Sequence, residues 1–99
     1  ELRKETDKVT SAFVQGKAAK GARSHTDGKN LYLHGNHIGK HGEDGSVHLT
    51  MAGWGTKTTR DRLNGVVQHL GGTGGFHQKG GVQHFNGKPV KTDEWVKVR

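Results

Sequence analysis

The sequence predicts a small α+β domain in which an antiparallel sheet of about five strands packs with one main helix. Short segments of alternating apolar residues are separated by turns of glycine and asparagine, which is the pattern of β-hairpins. Residues 59–70 differ, because Leu63, Val66 and Leu70 recur there at helical spacing. A chain of 99 residues has room for one domain, which we assign to residues 1–99.

The N-terminal segment predicts a short helix. Val9, Ala12 and Phe13 lie at i, i+3 and i+4, and Gly16 follows as a stop signal. A strand is the alternative, because β-branched residues are interspersed among them. Residues 17–30 are small, basic and interrupted by glycine, which predicts a partly flexible loop or an edge strand.

Three strands are predicted after this basic stretch. Residues 31–34 form the first, Gly35 and Asn36 the two-residue turn, and residues 37–40 the returning strand. A second turn at residues 43–45 leads into residues 47–51, where apolar and polar side chains alternate as in a half-buried strand.

A corner at residues 52–56 holds Trp54 between glycines and precedes the main helix. Thr58 is the predicted N-cap, with Asp61 three residues later as the acid of a capping box. Gly71 and Gly72 are the predicted end of the helix.

The tail predicts two or three further strands. Residues 76–79 and 82–85 are joined by the glycine pair 80–81, and the Asn-Gly pair at 86–87 predicts a type I′ turn into residues 88–90. The element order is therefore helix, three strands, helix and two or three strands.

We expect a small core, because only 19 residues are Leu, Ile, Val or Phe, and a marginal core can leave a chain dependent on a partner for full order. The candidates are the large apolar residues Phe13, Leu31, Tyr32, Leu33, Ile38, Val47, Leu49, Met51, Trp54, Leu63, Val66, Val67, Leu70, Phe76, Val82, Phe85 and Trp95.

The charge balance points to an anionic partner. Sixteen lysines and arginines stand against nine acids, a formal net charge of +7, which suits sequence-independent binding to DNA or RNA phosphates. The candidate phosphate contacts are Lys17, Lys20, Arg23, Lys57, Thr58, Thr59, Arg60, Arg62 and Lys79. Several of these crowd the start of the main helix, where backbone N–H groups also attract anions.

Two alternatives to the phosphate interpretation stay open. Arg60 or Arg62 can instead pair with a carboxylate of the sheet or pack over Trp54. A basic charge can also serve solubility alone. Tyr32, Phe76 and Phe85 are candidate platforms for base stacking, provided that the core leaves them exposed.

The sequence predicts no enzyme, no cofactor and no metal. It has no cysteine, no serine in a nucleophile elbow, and its acids lie in turns and near the ends. The glycine-rich run at residues 71–75 lacks the lysine of a P-loop. His34, His37 and His41 have a spacing that metal sites use, but a hairpin does not force them together, so we expect exposed polar residues.

Two segments carry a resemblance to a known group of proteins. Residues 31–38 read LYLHGNHI and residues 52–65 read AGWGTKTTRDRLNG. They are similar to the LYLHGN hairpin and the AGW-T-TTRERLN corner and helix of small proteins encoded by tailed bacteriophages. The final QK and LNG hairpin of those proteins is represented by Gln78, Lys79 and residues 85–87, where the pattern departs from theirs in its aromatic residues.

This resemblance covers residues 9–90 and implies a setting, the cytoplasm of an infected bacterium, without implying any chemistry. Besides nucleic-acid binding, it allows a module that binds a host protein complex, such as transcription or defence machinery. A minor virion component is a third possibility. No apolar run is long enough for a membrane span, and no oligomeric state is predicted.

Overall fold

The computed structural model describes residues 2–72 and 75–99, with side chains from residue 8 onward. The fold is α+β, as predicted, with two helices and two antiparallel sheets. The elements in chain order are α1 (Leu2–Gln15), β1 (Ala18–Lys20), β2 (Ser24–Asp27), β3 (Asn30–Leu33), β4 (Asn36–His41), β5 (Val47–Leu49), α2 (Lys57–His69), β6 (Phe76–Lys79), β7 (Val82–Phe85), β8 (Lys88–Pro89) and β9 (Val96–Lys97).

The larger sheet has six strands in the order β1-β2-β3-β4-β5-β9. Its first five strands follow one another along the chain, and the last segment returns to add β9 beside β5, with Leu49 opposite Val96. The smaller sheet has the order β6-β7-β8. The described residues thus form nine strands where about five were predicted, because β1, β2 and β9 are two to four residues long and show no apolar alternation.

Three hairpins turn on two residues with positive φ, as type I′ turns require. The pairs at 80–81 and 86–87 were predicted correctly. The turn predicted at Gly35 and Asn36 was wrong by one residue, because Leu33 pairs with Asn36 and the turn is His34 (φ 52°) and Gly35 (φ 80°). The glycine fills the second turn position, and a histidine takes the unusual backbone conformation of the first.

Residues 17–30, predicted as a loop or an edge strand, contribute β1 at the sheet edge and β2 beside it. The following turn meets the end of α1. A Cβ on Gly28 (φ +96°) would lie 2.6 Å from the carbonyl oxygen of Gly16, so this close approach requires glycine.

The core lies between the inner face of the larger sheet and the two helices. The N-terminal helix, for which a strand was the alternative, contributes Val9 and Phe13, and a Cβ on Gly39 would lie 3.2 Å from the Phe13 ring. The buried hydrophobic residues are Val9, Phe13, Leu31, Leu33, Ile38, Val47, Leu49, Met51, Leu63, Val66, Val67 and Phe76.

Three predicted core residues were placed wrongly. Trp54 is 56% exposed, Val82 is 48% exposed and Trp95 is 36% exposed. Trp54 follows the turn at Ala52 and Gly53, outside any strand. Val82 begins β7, and the alternation of this strand turns Gln83 inward and Val82 to the solvent. Of the other candidates, Tyr32 and Phe85 are half-buried, and so is Leu70.

The start of α2 differs from the prediction. Thr56, not Thr58, is the N-cap, and its hydroxyl oxygen accepts from the backbone N–H of Thr59 at 3.3 Å. Asp61 is therefore not the acid of a capping box, and it lies exposed on the helix. Neighbouring threonines offer competing caps, and only the extended backbone of Thr56 selects among them.

Candidate nucleic-acid interface

One face of the larger sheet carries basic and aromatic side chains and is turned away from the core. Residues directly opposite each other on neighbouring strands share a face, and here the register pairs form two rows. Lys20, His25, Tyr32 and His37 make the first row, across β1 to β4. The second row, across β4, β5 and β9, is Lys40, His48 and Lys97. Together with Trp95, which joins the rows, these residues form what we call the outer sheet face.

The first row is a ladder of rings. His25 stacks on Tyr32 with 4.9 Å between ring centroids, and Tyr32 stacks on His37 at 5.1 Å. His37 Nε2 donates to Asn30 Oδ1 at 2.9 Å, and its ring meets Trp95 edge-on at 5.1 Å. Because the rings cover one another's faces, the ladder presents mainly ring edges and holds the row in fixed positions.

Lysines lie at both ends of this face and within it. Lys20 and Lys97 are five strand steps apart, about 24 Å at the usual strand spacing of about 4.8 Å. Lys40 lies between them, and its Nζ is 4.4 Å from the centroid of the Trp95 ring, a cation–π contact. The face is thus a broad positive surface with a row of rings inside it.

An acid also lies on this side of the sheet. Asp27 ends β2, and its Oδ1 accepts from the backbone N–H groups of Lys29 at 2.9 Å and Asn30 at 2.7 Å. These hydrogen bonds, led by the one from Asn30, lower the pKa of the Asp27 carboxyl below its ordinary value. The carboxylate therefore serves the β2–β3 turn.

A second feature, which we call the Trp54 pocket, lies where the β3–β4 hairpin meets the start of α2. The cavity has a volume of about 330 Å³. Its lining is Leu33, His34, Asn36, Trp54, Thr56, Thr58 and Thr59.

The backbone of the corner before α2 holds Trp54 in place. Ala52 and Gly53 have positive φ, and the N–H of Trp54 donates to Met51 O at 2.8 Å. The N–H of Gly53 donates to Thr92 O at 2.8 Å, which ties the corner to the last segment of the chain. The indole is therefore displayed by an anchored turn and not by a loose loop.

Arg60 fastens the same corner to the smaller sheet. Its Nη1 donates to Gly55 O at 3.0 Å, to Gln78 Oε1 at 3.1 Å and to Gln83 Oε1 at 3.1 Å. The sequence predicted that Arg60 contacts phosphate, but its guanidinium donates to three oxygen atoms of the protein. The alternative prediction, that Arg60 pairs with a carboxylate of the sheet, also differs from the structure, because these three acceptors are neutral oxygens.

Two predicted phosphate contacts lie inside the protein. Arg62 is 1% exposed and Thr59 is 2% exposed, on the helix face that also buries Leu63 and Val66. Helical spacing places residue 62 three positions after Thr59 and four before Val66, hence on one face. The prediction for Arg62 is wrong, because a phosphate chain at the surface does not reach it, and Thr59 is accessible only as part of the lining of the Trp54 pocket.

The other predicted residues are accessible but spread apart. Lys20 belongs to the outer sheet face, and the exposed Lys17 precedes the same strand. The exposed Arg23 lies in the β1–β2 turn, beside the Trp54 pocket. Its carbonyl oxygen accepts from the backbone N–H of His34 at 2.8 Å. The exposed Lys57 and half-buried Thr58 begin α2, and the exposed Lys79 ends β6 in the smaller sheet.

Sequence reasoning missed most of the outer sheet face. Lys40, His48 and Lys97 were not selected, since the pairing of β9 with β5 joins distant parts of the chain. The alternation of His48 between buried Val47 and Leu49 was the available signal. Of the candidate stacking residues, Tyr32 lies in the ring ladder, whereas Phe76 is buried and packs on Phe85 with 4.7 Å between centroids.

The histidines with metal-like spacing take separate roles. His34 lies in the β3–β4 turn, His37 in the ring ladder, and His41 Nε2 donates to Phe13 O at 2.6 Å. On the smaller sheet, His77 stacks on His84 at 5.0 Å. Among the side chains of residues 8–72 and 75–99, no three metal-ligating groups come together. Thr73 and Gly74 of the glycine-rich run lie outside the described residues.

The chain matches the model of a family described as Kyanoviridae Gp96 protein over residues 2–99. No curated protein and no solved structure matches the chain. Among the described helices, none combines the length and apolar character needed to cross a bilayer.

Proposed function

The chain belongs to the Kyanoviridae Gp96 protein family and is encoded by a phage, and from this premise we propose that it binds nucleic acid in the host cytoplasm. The contacts are to the phosphate backbone, and the protein acts by binding and not by catalysis. The observation that carries the proposal is the outer sheet face, where Lys20, Lys40 and Lys97 share one surface.

The geometry of this face suits a phosphate chain. Three ammonium groups distributed over about 24 Å can each meet a different phosphate, and each contact releases counterions into solution. The net charge of +7 adds a long-range attraction that speeds association. The exposed Lys17 precedes β1 and the exposed Arg23 lies in the turn after it, so both ends of the edge strand carry a further positive charge.

The carboxylates support binding over catalysis. Asp27 serves the β2–β3 turn, Asp44 Oδ1 accepts from the N–H of Ser46 at 3.0 Å, and Glu94 Oε1 accepts from the N–H of Lys91 at 3.1 Å. Each of these acids thus stabilises a turn.

Fluorescence anisotropy with labelled single-stranded DNA, RNA and duplex DNA tests the proposal, at several salt concentrations. We compare the native protein with a triple variant, Lys20→Gln, Lys40→Gln and Lys97→Gln. A second triple variant, Lys8→Gln, Lys88→Gln and Lys91→Gln, removes the same charge at exposed positions outside the outer sheet face.

The first triple variant should reduce the slope of log K against log salt by about 2–3, since each phosphate contact contributes roughly 0.7–0.9. The matched triple variant should keep most of the native slope. Equal losses in both variants would assign the effect to net charge alone. No binding at any salt would favour the alternative of an acidic protein partner.

A further inference from the structure

We infer that the Trp54 pocket binds an unpaired nucleobase, so that the protein prefers single-stranded nucleic acid to a duplex. The inference rests on the proposed function and specifies its substrate. It assigns recognition of the base to the pocket and attraction of the backbone to the outer sheet face.

The exposed indole is the first argument. This small protein has two tryptophans, and Trp54 leaves 56% of its surface in water although the core is short of large apolar residues. The hydrogen bonds from Trp54 N–H to Met51 O and from Gly53 N–H to Thr92 O fix the backbone that carries it. An indole displayed on an anchored turn offers a flat surface on which a base can stack.

The size and lining of the cavity are the second argument. A volume of about 330 Å³ lies at the small end of ligand sites and suits one base. Leu33 and Trp54 supply apolar surface, whereas Asn36, His34 and Thr58 supply groups that donate and accept hydrogen bonds. Apolar surface together with hydrogen-bonding groups can bind both the face and the edge of an unstacked base.

The charge around the pocket is the third argument. Lys57, which is exposed, is the first residue of α2 and directly precedes the lining residue Thr58. On the other side, the turn of the exposed Arg23 is hydrogen-bonded to His34. Cations on two sides complement the phosphates that flank a bound base. A base inside a duplex cannot enter, because its faces and its edge are already engaged.

The first experiment compares affinities for single-stranded and duplex DNA of equal length by anisotropy, using the native protein and Trp54→Ala. The variant should lose about tenfold in affinity for the single strand, the usual loss for one stacked base, and change less than twofold for the duplex. Val82→Ala removes a comparably exposed apolar side chain from the smaller sheet and should change neither affinity.

The second experiment follows Trp54 itself. In a Trp95→Phe background, Trp54 is the sole tryptophan, and its fluorescence should be quenched by a single-stranded oligonucleotide but not by the duplex. Trp54→Phe keeps a ring and should retain most of the preference. This variant also serves if Trp54→Ala proves less well folded by circular dichroism.

The outcomes separate the two proposals. Binding to both forms with equal affinity and no effect of Trp54→Ala would overturn the pocket assignment and leave backbone binding intact. Absence of binding to either form would overturn backbone binding itself. Titration with a mononucleotide distinguishes a strand from a free nucleotide, and saturation by the mononucleotide at affinity equal to the oligonucleotide would overturn the preference for a strand.

Discussion

The outer sheet face and the Trp54 pocket are built in opposite ways. The face follows the alternation of the strands in the larger sheet, with one register shift between β3 and β4, and all of its residues except Trp95 are placed by the register pairs. The pocket lies where the regular elements stop, at a hairpin turn, a corner and a helix start. Regular structure distributes charge over a surface, whereas an interruption of it exposes one side chain.

This difference predicts different sensitivity to mutation. On the outer sheet face, charge is shared among Lys20, Lys40 and Lys97, so that each lysine contributes a similar part of the affinity. In the pocket, the indole of Trp54 is the large flat surface, and its loss has no substitute among the lining residues.

The largest effect on stability is expected for Phe13, which lies beneath the inner face of the larger sheet. Phe13 is fully buried in α1 and packs against the inner face, where a Cβ on Gly39 would lie 3.2 Å from its ring. Phe13→Ala should reduce the free energy of unfolding by about 3–5 kcal/mol, a large part of the stability of a small domain. Urea denaturation measures it.

Val14→Ala is the matched control, since Val14 is only half-buried at the edge of the same core. It should cost well under half as much as Phe13→Ala. If the two losses were equal, α1 would not hold the sheet through Phe13, and the outer sheet face would have another support.

The regular parts of the fold were accessible from the sequence. The glycine pair at 80–81 and the Asn-Gly pair at 86–87 specify their turns through positive φ, which few other residues adopt. The spacing of Leu63, Val66 and Val67 identifies the buried side of α2. These are local signals, and each is complete within about ten residues.

The rest depends on distant contacts. Nothing near residues 96–97 in the chain indicates that they pair with β5, and this pairing brings Lys97 opposite His48. The burial of Arg62 follows from its place on the inner side of α2, against the general rule that arginine is exposed. Trp54 fails as a core prediction because its turn, not its hydrophobicity, decides its direction.

The next effect concerns the β2–β3 turn, which meets the end of α1 beside the strand that carries His25. Gly28 has φ +96°, and an added Cβ would lie 2.6 Å from Gly16 O, a backbone atom that cannot move aside. Gly28→Ala should destabilise the protein by about 2–3 kcal/mol, from strain and collision together. Thermal unfolding followed by circular dichroism measures the loss.

Gly45→Ala separates the two causes. Gly45 also has positive φ (+84°), but open space surrounds it, so this substitution carries the strain alone and should cost about 1 kcal/mol. Equal losses at the two positions would mean that the β2–β3 turn is not held against the end of α1.

A smaller effect is expected where the corner of the Trp54 pocket joins the smaller sheet. Arg60→Lys keeps the charge, but its shorter side chain does not carry a nitrogen to the position of Nη1, which donates to Gly55 O, Gln78 Oε1 and Gln83 Oε1. It should cost about 1–2 kcal/mol of unfolding free energy. The affinity for duplex DNA should stay within twofold of native.

The opposite result would support the prediction, made from the sequence, that Arg60 contacts phosphate. If Arg60→Lys left stability unchanged while Arg60→Gln weakened binding to every nucleic acid, the side chain would leave its protein acceptors and contact phosphate. Lys88→Gln, at an exposed position of the smaller sheet outside the Trp54 pocket, is the charge control in both measurements.

The smallest effect is expected for Asp27, the acid that lies on the same side of the sheet as Lys20. The N–H groups of Asn30 and Lys29 lower the pKa of Asp27, so the folded protein favours its charged form. A lowered folded pKa contributes stability above the unfolded pKa, and the contribution is lost as pH falls through the folded value.

The melting temperature of Asp27→Asn should therefore lie below that of the native protein at pH 7, and the gap should close in acid. A gap for Asp27→Asn that persisted at the lowest pH would assign the loss to turn geometry and not to charge. Because the same substitution also removes a negative charge near Lys20, it should raise affinity for DNA by no more than about twofold at physiological salt, which separates the role of Asp27 in the turn from the role of the lysines in binding.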